Sequence, residues 1–412
     1  MRCRPARPDE LPELARLVQH SFPGPGRTFA YWHAQLADGP YGGWEALWVG
    51  ELDGRPVAVC QLLPLRQWVG GALLPMAGVG TVTVAPTHRR RGLAYRLLAE
   101  GLTYARERGD VLSALYPFSV RYYAKLGYAP AGEAWQALVP LSALPDASEA
   151  PIELVVDEAH RQAVQAVYEA AAPRANGWLD RTPSVWAHWW AQEEGGATLL
   201  VRDDAGHPAG YLRLRYRADL PLPERRLEVE ERVALDPAAD AALLAAVARL
   251  SDQWPAVLLR AHPDERLLDR LAEPRWPPGA LPGFGLWFPA AVVLRGPMSR
   301  VLHVPAALEA RAAPPELRLR LRLEVVDPVL PTNAGPWEVE IADGQLAVGP
   351  ARGGRAAATL RLPVGTLARL LTGDLPLPDA VRLGLAALDP PEAARRLAPL
   401  FPGPRPWLWD RF

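Results

Sequence analysis

Two short stretches of this sequence carry residue types that could bind an anion and move a proton. In residues 82–94 (VTVAPTHRRRGLA), an alternating apolar run is followed by a proline, three arginines and a glycine, where a helical pattern begins. The first N–H groups of a helix have no partner within it, so together with the helix dipole and the arginines they could hold a pyrophosphate. In residues 120–132 (VRYYAKLGYAPAG), tyrosines precede a glycine on a short predicted helix, and a neutral phenol can donate a proton.

The proline in the first stretch indicates that a strand ends there. Pro86 has no N–H for a strand ladder, so we expect the neighbouring strands to part near Val84. The freed backbone groups could pair with an extended ligand that carries amides. Gly92 would let such a ligand approach the backbone closely, and the small side chain of Ala94 would leave room for it. The alternative is a helix start whose arginines are only solvated.

Overall composition excludes a general attraction to nucleic acid or to anionic membranes. The 412 residues include 45 Lys and Arg and 46 Asp and Glu, for a formal net charge of −1, so any anion site must be local. Two cysteines cannot form a disulfide framework, no metal-ligand spacing is present, and no apolar run reaches about 18 residues. The sequence predicts a cytoplasmic protein with no metal and no nucleic-acid or membrane partner.

Hydrophobic periodicity places both stretches in a first unit of alternating strands and helices. We predict helices at residues 9–22, 29–36, 93–108 and 120–126, and strands at residues 44–49, 55–65, 76–84 and 111–116. Gly127 is the left-handed stop expected after the last of these helices. A connector rich in proline, serine and acidic residues at 140–151 predicts a domain boundary near residue 148.

The remainder of the chain divides into a partial repeat and a different third unit. After a helix at residues 157–172, strands at residues 198–201, 210–216 and 227–235 lead through Asp236-Pro237 to a helix at 239–250, but without the arginines or the glycine. This pattern indicates a degenerate copy of the first unit. From about residue 301 we predict strands at 317–326, 337–341, 345–348 and 357–362 and helices at 364–371 and 380–385. The aromatic tail, residues 402–412 (PGPRPWLWDRF), is expected to dock in a pocket, because free termini are usually polar.

These motifs resemble those of a known enzyme family. Residues 89–94 (RRRGLA) match the acetyl-CoA signature R/Q-x-x-G-x-G/A of the GNAT superfamily of N-acetyltransferases, and the tyrosine stretch resembles its second signature. The whole chain is similar to the Eis (enhanced intracellular survival) acetyltransferases. That resemblance implies an α/β (α+β) fold with a catalytic GNAT-type mixed-sheet domain at residues 1–148 and a degenerate second one at 149–298. A sterol-carrier-protein-like α+β domain would follow at residues 299–412.

The resemblance also implies acetyl-CoA as the co-substrate and assigns roles to individual residues. The backbone N–H of Val84 would polarise the thioester carbonyl, Tyr123 would protonate the departing thiolate, and the C-terminal carboxylate of Phe412 would accept the amine proton. The implied cofactor-binding residues are Val82, Thr83, Val84, Arg89, Arg90, Gly92, Leu93, Ala94 and Ser119. Candidate walls of the amine pocket are Phe22, Trp32 and Phe118.

Several of these residues have a structural alternative. Tyr123 could be a core tyrosine, and Ser119 could be only the cap of its helix. Phe22, Trp32 and Phe118 could all be core residues. Phe412 could simply be the last residue of the chain, although the aromatic residues around it favour docking.

The resemblance predicts a function and an assembly. The expected reaction is acetylation of amino groups on small polyamine-type substrates such as aminoglycosides, and the expected assembly is a homo-oligomer, a hexamer. Acetylation of lysine in proteins or peptides remains open. So does a non-catalytic role in which the protein binds acyl-CoA or an apolar ligand.

Overall fold

The protein is described from a computed structural model that places residues 1–145, 150–192, 195–275, 289–354, 356–401 and 403–412. The chain forms two compact units. The first contains residues 1–132, 176–187 and 296–412, and the second contains residues 133–175 and 188–295. The boundary predicted near residue 148 lies outside the described residues.

Residues 1–132 supply six strands and four helices of the first unit. The strands are β1 (Arg2–Pro5), β2 (Leu47–Leu52), β3 (Arg55–Val69), β4 (Ala72–Val84), β5 (Leu112–Leu115) and β6 (Ala129–Pro130). The helices are α1 (Leu11–Ser21), α2 (Phe29–Asp38), α3 (Leu93–Arg108) and α4 (Val120–Ala124). Gly127 has φ +80°, as expected for the stop after α4.

The described residues of the second unit form seven strands and three helices. The strands are β7 (Glu133–Pro140), β8 (Ile152–Leu154), β9 (Gly196–Arg202), β10 (Pro208–Tyr216), β11 (Leu227–Ala234), β12 (Ala256–Ala261) and β13 (Val292–Arg295). The helices are α5 (Glu158–Ala171), α6 (Pro183–Ala191), whose first residues belong to the first unit, and α7 (Pro237–Ala248). The strand order is β13-β7-β12-β11-β10-β9-β8.

Residues 296–412 return to the first unit. Their strands are β14 (Met298–Val301), β15 (Leu319–Val326), β16 (Trp337–Ala342), β17 (Gln345–Pro350), β18 (Ala358–Pro363) and β19 (Ala387–Asp389). Their helices are α8 (Val304–Glu309), α9 (Val364–Leu371), α10 (Leu377–Arg382) and α11 (Ala393–Leu397). Strands β15 to β19 form a five-stranded sheet of order β17-β16-β15-β18-β19. Its apolar face packs with α8 to α11 into a large core.

The first sheet positions both motifs found in the sequence. Its order is β1-β2-β3-β4-β5-β14-β6, antiparallel except for the parallel pair β4 and β5. Helix α3 buries Leu97, Leu98 and Leu102 against this sheet, and β4 contributes Ala77 and Val79 to the same cluster. Apolar burial of this kind fixes the helix, and hence its first turn, relative to the end of β4.

The two seven-stranded sheets have corresponding orders, and one pair of equivalent strands is exchanged between them. Strand β14 follows β13 in the chain but lies in the first sheet between β5 and β6. Strand β7 follows β6 but lies in the second sheet between β12 and β13. Sheet membership therefore changes after Gly132 and again before β14.

Among the described residues, no helix is both long enough and apolar enough to cross a bilayer.

Candidate functional site

Strands β4 and β5 part before β4 ends. Their parallel ladder stops at Val79 opposite Leu115, whereas β4 stays paired with β3 as far as Val84 opposite Ala58. The register of β3 with β4 shifts between Val59 and Gln61, and Thr81 there has φ +46°. A bulge of this type bends and twists the strand. The parting therefore begins after Val79, just before the bulge, and not near Val84, where the sequence placed it.

The backbone N–H of Val84 points toward the side that β5 leaves open. Ala85 donates its N–H to the carbonyl of Val57 at 2.8 Å, which makes these two residues a hydrogen-bonded pair. Because such pairs alternate along an antiparallel ladder, the N–H and C=O of Val84 point away from β3. The Val84 carbonyl accepts a hydrogen bond from Nε of Arg89 at 3.3 Å. The N–H of Val84 therefore faces the gap between the parted strands.

The neighbouring β4 residues have different surroundings. The side chains of Val82 and Val84 pack against the α3 cluster. Thr83 is 1% exposed, and its Oγ1 has no hydrogen-bond partner among the described residues.

The N-terminus of α3 offers free backbone donors next to this opening. Arg96 is the first residue of the helix whose N–H is bonded within it, to the carbonyl of Gly92 at 3.1 Å. The N–H groups of Leu93, Ala94 and Tyr95 therefore precede the helix ladder. Arg90 and Gly92 have φ +61° and +75°, and a Cβ built on Gly92 would meet nothing within 4 Å. The space in front of the turn is open, as an anion cradle requires.

The three arginines of the motif are exposed but differ in what they contact. Arg89 donates to the carbonyl of Val84 and also to Oγ of Ser21 at 3.1 Å. These two bonds hold the loop between β4 and α3 in place. Within the described part of the chain, Arg89, Arg90 and Arg91 form no ion pair with a carboxylate. Arg90 and Arg91 are therefore the side chains best placed to meet a phosphate.

Tyr123 lies on α4 in an aromatic group beside the parting strands. Its side chain is buried, and its ring packs edge-on against Tyr122, Phe118 and Tyr128 at centroid distances of 5.2, 5.3 and 6.1 Å. Burial raises the pKa of Tyr123 above its ordinary value, with smaller contributions from Tyr122 and Tyr128. A phenol with a raised pKa stays protonated at neutral pH and is available as a donor.

Tyr122 differs from its neighbour in a way that the sequence could not show. Burial raises the pKa of Tyr122 to about 12. Its hydroxyl is buried without a hydrogen-bond partner among the described residues. Ser119 caps α4 by accepting the N–H of Tyr122 at 3.3 Å, so the cap that the sequence left open is present. Phe118 is 74% exposed and packs on Tyr122 and Tyr123.

The other two predicted pocket walls, Phe22 and Trp32, contact each other at the end of α1 and on α2. Trp32 is buried among Leu14, Val18 and Leu36, which is the core role left open by the sequence. Phe22 follows α1, is 36% exposed, and has its ring 5.8 Å from that of Trp32. Of the three predicted walls, the structure brings only Phe118 next to the tyrosine group.

The C-terminal residues, named here the tail (residues 403–412), are docked on the first unit. The ring of Phe412 lies 5.7 Å from that of Tyr116 and 6.2 Å from that of Tyr41. It also covers Gly78 of β4, where an added Cβ would be 2.9 Å from its Cε2. Gly78 pairs with Ala114 just before β4 and β5 part. The prediction that the tail docks is consistent with these contacts.

Tyr123 and Phe412 contact opposite faces of β4. Successive strand residues point to opposite sides of a sheet. Ala77 and Val79 belong to the cluster that contains α3 and Tyr123, whereas Met76 belongs to the cluster against which Phe412 packs. A ligand held between the parted strands would therefore meet α3 and Tyr123 from one face and the tail from the other.

Family comparisons agree with this architecture. Residues 2–131 and 177–298 each match an acetyltransferase (GNAT) domain, and residues 304–409 match a sterol carrier protein domain. The chain is 30% identical over 335 residues to the N-acetyltransferase Eis of Mycobacterium tuberculosis, covering 77% of this chain and 76% of that protein. It belongs to the Eis-like N-acetyltransferases of the GNAT superfamily.

Other relatives extend the comparison over the full length. An uncharacterized N-acetyltransferase of Streptomyces griseus is 30% identical over 376 residues, 84% of this chain and 83% of that protein. Eis1 of Mycobacterium abscessus and a GCN5-related N-acetyltransferase of Anabaena variabilis share the fold, with TM-scores of 0.78 and 0.82. The identities are 21% and 24%, with 100% of each chain covered. The Eis-like fold of two GNAT domains and a sterol-carrier-like domain, and an acetyltransferase activity, are thereby confirmed.

Two buried ion pairs near the site of this Eis-like enzyme were not predicted from the sequence. Asp410 is buried and bonded to Arg181. Arg300 of β14 is fully buried, pairs with Asp327 at 2.5 Å and donates to the carbonyl of Leu126, directly after α4. An arginine between the apolar residues of β14 indicates a buried ion pair. The sequence could not identify the partners of Arg300, because they are distant in the chain.

Proposed function

We propose that this protein transfers the acetyl group of acetyl-CoA to amino groups of small polyamine-type substrates, aminoglycosides among them. The observation that carries the proposal is the parting of β4 from β5 beside the free N-terminus of α3, with Tyr123 on one face and the tail on the other. GNAT enzymes use acetyl-CoA, and the residues present fit it. The choice of polyamine-type substrates rests on the resemblance of the chain to Eis enzymes and on a terminal carboxylate that could receive an ammonium.

In the proposed complex, the pyrophosphate is held at the start of α3. The N–H groups of Leu93 and Ala94 donate to it, and Arg90 supplies charge, while Arg89 keeps the loop in place. Gly92 leaves the approach open. The free edges of Val82, Thr83 and Val84 hold the extended arm of the co-substrate, and Ser119 lies near its thiol end.

The chemistry needs a donor to the carbonyl, an acid and a base. When bound, acetyl-CoA supplies a reactive thioester, and the C–N bond forms as the C–S bond breaks. The Val84 N–H donates to the thioester oxygen, and Tyr123 gives its proton to the sulfur. The Phe412 carboxylate would bind the ammonium, which loses one proton to solvent before it can attack. The carboxylate would accept the second proton, which the nitrogen loses as the amide forms, and that proton would return to Tyr123 through solvent. The net products are the amide, the free thiol of CoA and one proton.

A thiol-release assay with Tyr123→Phe tests this assignment. If Tyr123 is the acid, turnover falls by roughly 10² to 10⁴, because the leaving thiolate loses its proton donor, while acetyl-CoA affinity is unchanged. Tyr122→Phe is the matched control, since Tyr122 is the neighbouring residue and its hydroxyl has no hydrogen-bond partner among the described residues. Equal losses in both variants would contradict the assignment.

The substrate class is tested in the same assay with a panel of amines. We expect turnover with aminoglycosides and linear polyamines to exceed that with lysine peptides. Preference for lysine peptides would replace the small-molecule proposal by protein acetylation. Thiol release with none of the amines, despite acetyl-CoA binding, would favour a binding protein.

We also propose that the protein works in the cytoplasm as a homohexamer. Strand β13 is an edge strand whose Val292, Val293 and Leu294 are 37%, 54% and 39% exposed, and exposed apolar strands favour association. Light scattering would show a single species of six chains, whereas a stable monomer at micromolar concentration would contradict the proposal.

A further inference from the structure

A short segment of the first unit, between α5 and α6 in the chain, lies along the end of β3. This tail-binding segment (residues 176–181) is held by main-chain hydrogen bonds to that strand. Gly177 donates to the Trp68 carbonyl at 2.8 Å, Trp68 donates to Trp178 at 2.8 Å, and Asp180 donates to Arg66 at 3.0 Å. The segment is thereby fixed on the same hairpin that carries β4.

Asn176 connects this segment to the tail. Its Nδ2 donates to the Pro404 carbonyl at 2.9 Å, and its own carbonyl accepts the N–H of Trp407 at 2.9 Å. Its Oδ1 accepts the N–H of Gly70 at the tip of the β3–β4 hairpin at 2.7 Å. The first half of the tail is thus held by its backbone, independently of its side chains.

The second half of the tail is held by a buried ion pair. Nε of Arg181 lies 3.0 Å and 3.2 Å from the two oxygens of Asp410, and the two side chains are 1% and 3% exposed. The Arg181 guanidinium also lies 4.8 Å from the ring centre of Trp186. Tyr41 donates to Oδ1 of Asp410 at 3.4 Å, and Tyr116 donates to its carbonyl at 2.5 Å.

This pair fixes the chain only two residues before Phe412. Two residues span at most about 7 Å, so the terminal carboxylate cannot move far from Asp410. The ring of Phe412 itself contacts Tyr41, Tyr116 and Gly78. Tyr41 and Tyr116 therefore each contact both Asp410 and Phe412, and they couple the position of the pair to that of the last residue.

We propose that Arg181 and Asp410 are positioning residues that set the place of the Phe412 carboxylate for the amine. The inference rests on the proposed role of that carboxylate. Buried ion pairs are often replaceable by apolar residues without loss of stability, and their best attested use is to fix register. Here the register fixed is that of the tail, and Asp410 is not free to attract a cationic substrate.

The test replaces the pair as a unit, because removing one partner would leave a buried charge. Arg181→Met with Asp410→Leu should lower kcat at least tenfold and leave acetyl-CoA affinity within about twofold, since the cofactor residues lie on the other face of β4. The partly buried pair Arg202 and Glu153 of the second unit, changed to Met and Leu, is the control and should leave kcat unchanged. Arg181→Lys, which keeps the charge, should retain more activity than the apolar double variant.

A second arm separates this inference from the proposed function. Two alanines are added after Phe412, alone and together with the double variant. If the extension alone leaves turnover intact, the role of the terminal carboxylate is wrong. If the extension lowers turnover and the double variant does not, the positioning role is wrong.

The inference is supported when the extension and the double variant each lower turnover, and the protein with both changes is no less active than the protein with the extension alone. If the protein with both changes shows the product of the two separate losses, the inference is overturned. Should the double variant fail to fold, Arg181→Gln with Asp410→Asn, which removes both charges and nearly keeps the volume, gives the same comparison with and without the extension.

Discussion

Gly92 adopts a left-handed backbone conformation at the start of α3, with open space above it. A β-branched side chain there is strained and would also occupy the volume in which a phosphate approaches the free N–H groups. The two effects can be separated, because Gly109 at the other end of the same helix also has positive φ, at +103°, and open space around it.

We therefore expect Gly92→Val to weaken acetyl-CoA binding at least tenfold in a calorimetric titration. Gly109→Val carries similar backbone strain but lies at the far end of α3, so it should lower the melting temperature without changing the affinity. Equal affinities in the two variants would remove the start of α3 from the cofactor site.

The pH dependence of turnover follows from Tyr123. Its pKa is raised by burial, so it keeps its proton to higher pH than an ordinary tyrosine, whose pKa is about 10. The acid form is then present throughout the neutral range. We expect kcat/KM to rise as the amine substrate loses its proton and to show no fall below about pH 10 that depends on Tyr123. A falling limb at lower pH that disappears in Tyr123→Phe would contradict this expectation.

At the scale of residues, the sequence could not predict the direction in which each side chain points. The order of Arg89, Gly92 and Ala94 was sufficient to predict an anion site, and the position of Tyr123 in its motif distinguished it from Tyr122. The sequence could not show that Arg89 turns back onto Val84 and Ser21. Nor could it show that Asp410 is buried with Arg181, since the two residues are far apart in the chain.

At the scale of elements, the two GNAT domains differ at the same position. In the second unit the parallel ladder of β11 and β12 ends at Glu228 opposite Leu258, while β11 continues to Ala234 beside β10. These strands part as β4 and β5 do. However, Asp236 caps the start of helix α7, and its carboxylate accepts the N–H of Ala239 at 2.8 Å. An acidic side chain therefore occupies the turn where a phosphate would bind.

The gap between the parted strands of the second unit is also bridged. Arg232 of β11 is 4% exposed and pairs with Asp240 on α7 and with Glu265 beyond β12. Arg270 pairs with the same Asp240. This network spans the region that an extended ligand would need.

We therefore expect one acetyl-CoA per chain. Calorimetric titration should give a stoichiometry near one in the unaltered protein, and Gly92→Val should remove the same single binding event. A stoichiometry near two, with one site surviving Gly92→Val, would show that the second unit binds the cofactor despite Asp236.

Strand and helix types were predictable because the apolar periodicity is strong, as in β3, β4 and α3. The precise place where β4 leaves β5 was not, because it depends on where β5 ends and on the bulge at Thr81. Pro86 marks the end of the strand in the sequence. The strands nevertheless part after Val79, about five residues before β4 ends at Val84, beside the bulge. Short strands such as β6 and β14 carry too few residues for periodicity to reveal them.

At the scale of the whole molecule, the exchanged strands mean that no linear fragment contains the complete first sheet. Strand β14 pairs with β5 through four residues and with β6 through two. Within the described residues β6 has no other strand partner. Met298 and Val301 of β14 are fully buried, and Arg300 holds the carbonyl after α4. The support of α4, and hence of Tyr123, comes from residues almost 180 positions later in the chain.

This topology was not readable from the sequence, because exchange of equivalent strands leaves the local pattern of each copy intact. The predicted catalytic domain, residues 1–148, contains both signatures and every cofactor residue that we propose. It lacks β14, the tail-binding segment and the tail. The linear boundaries therefore remain a proposal about sequence domains, whereas the folding unit is assembled from three separate segments.

We expect a fragment of residues 1–148 to be aggregated or to bind acetyl-CoA far more weakly than the full chain. Its sheet would expose the edge of β5 and leave β6 unpaired, and an exposed apolar edge favours association. Production together with residues 149–412 should restore a soluble complex and thiol release, because that partner supplies β14 and the terminal carboxylate. Size-exclusion chromatography and calorimetry measure both effects. A monomeric 1–148 fragment with full acetyl-CoA affinity would show that the exchanged strand is dispensable, and the start of α3 and the parted strands would then suffice for cofactor binding on their own.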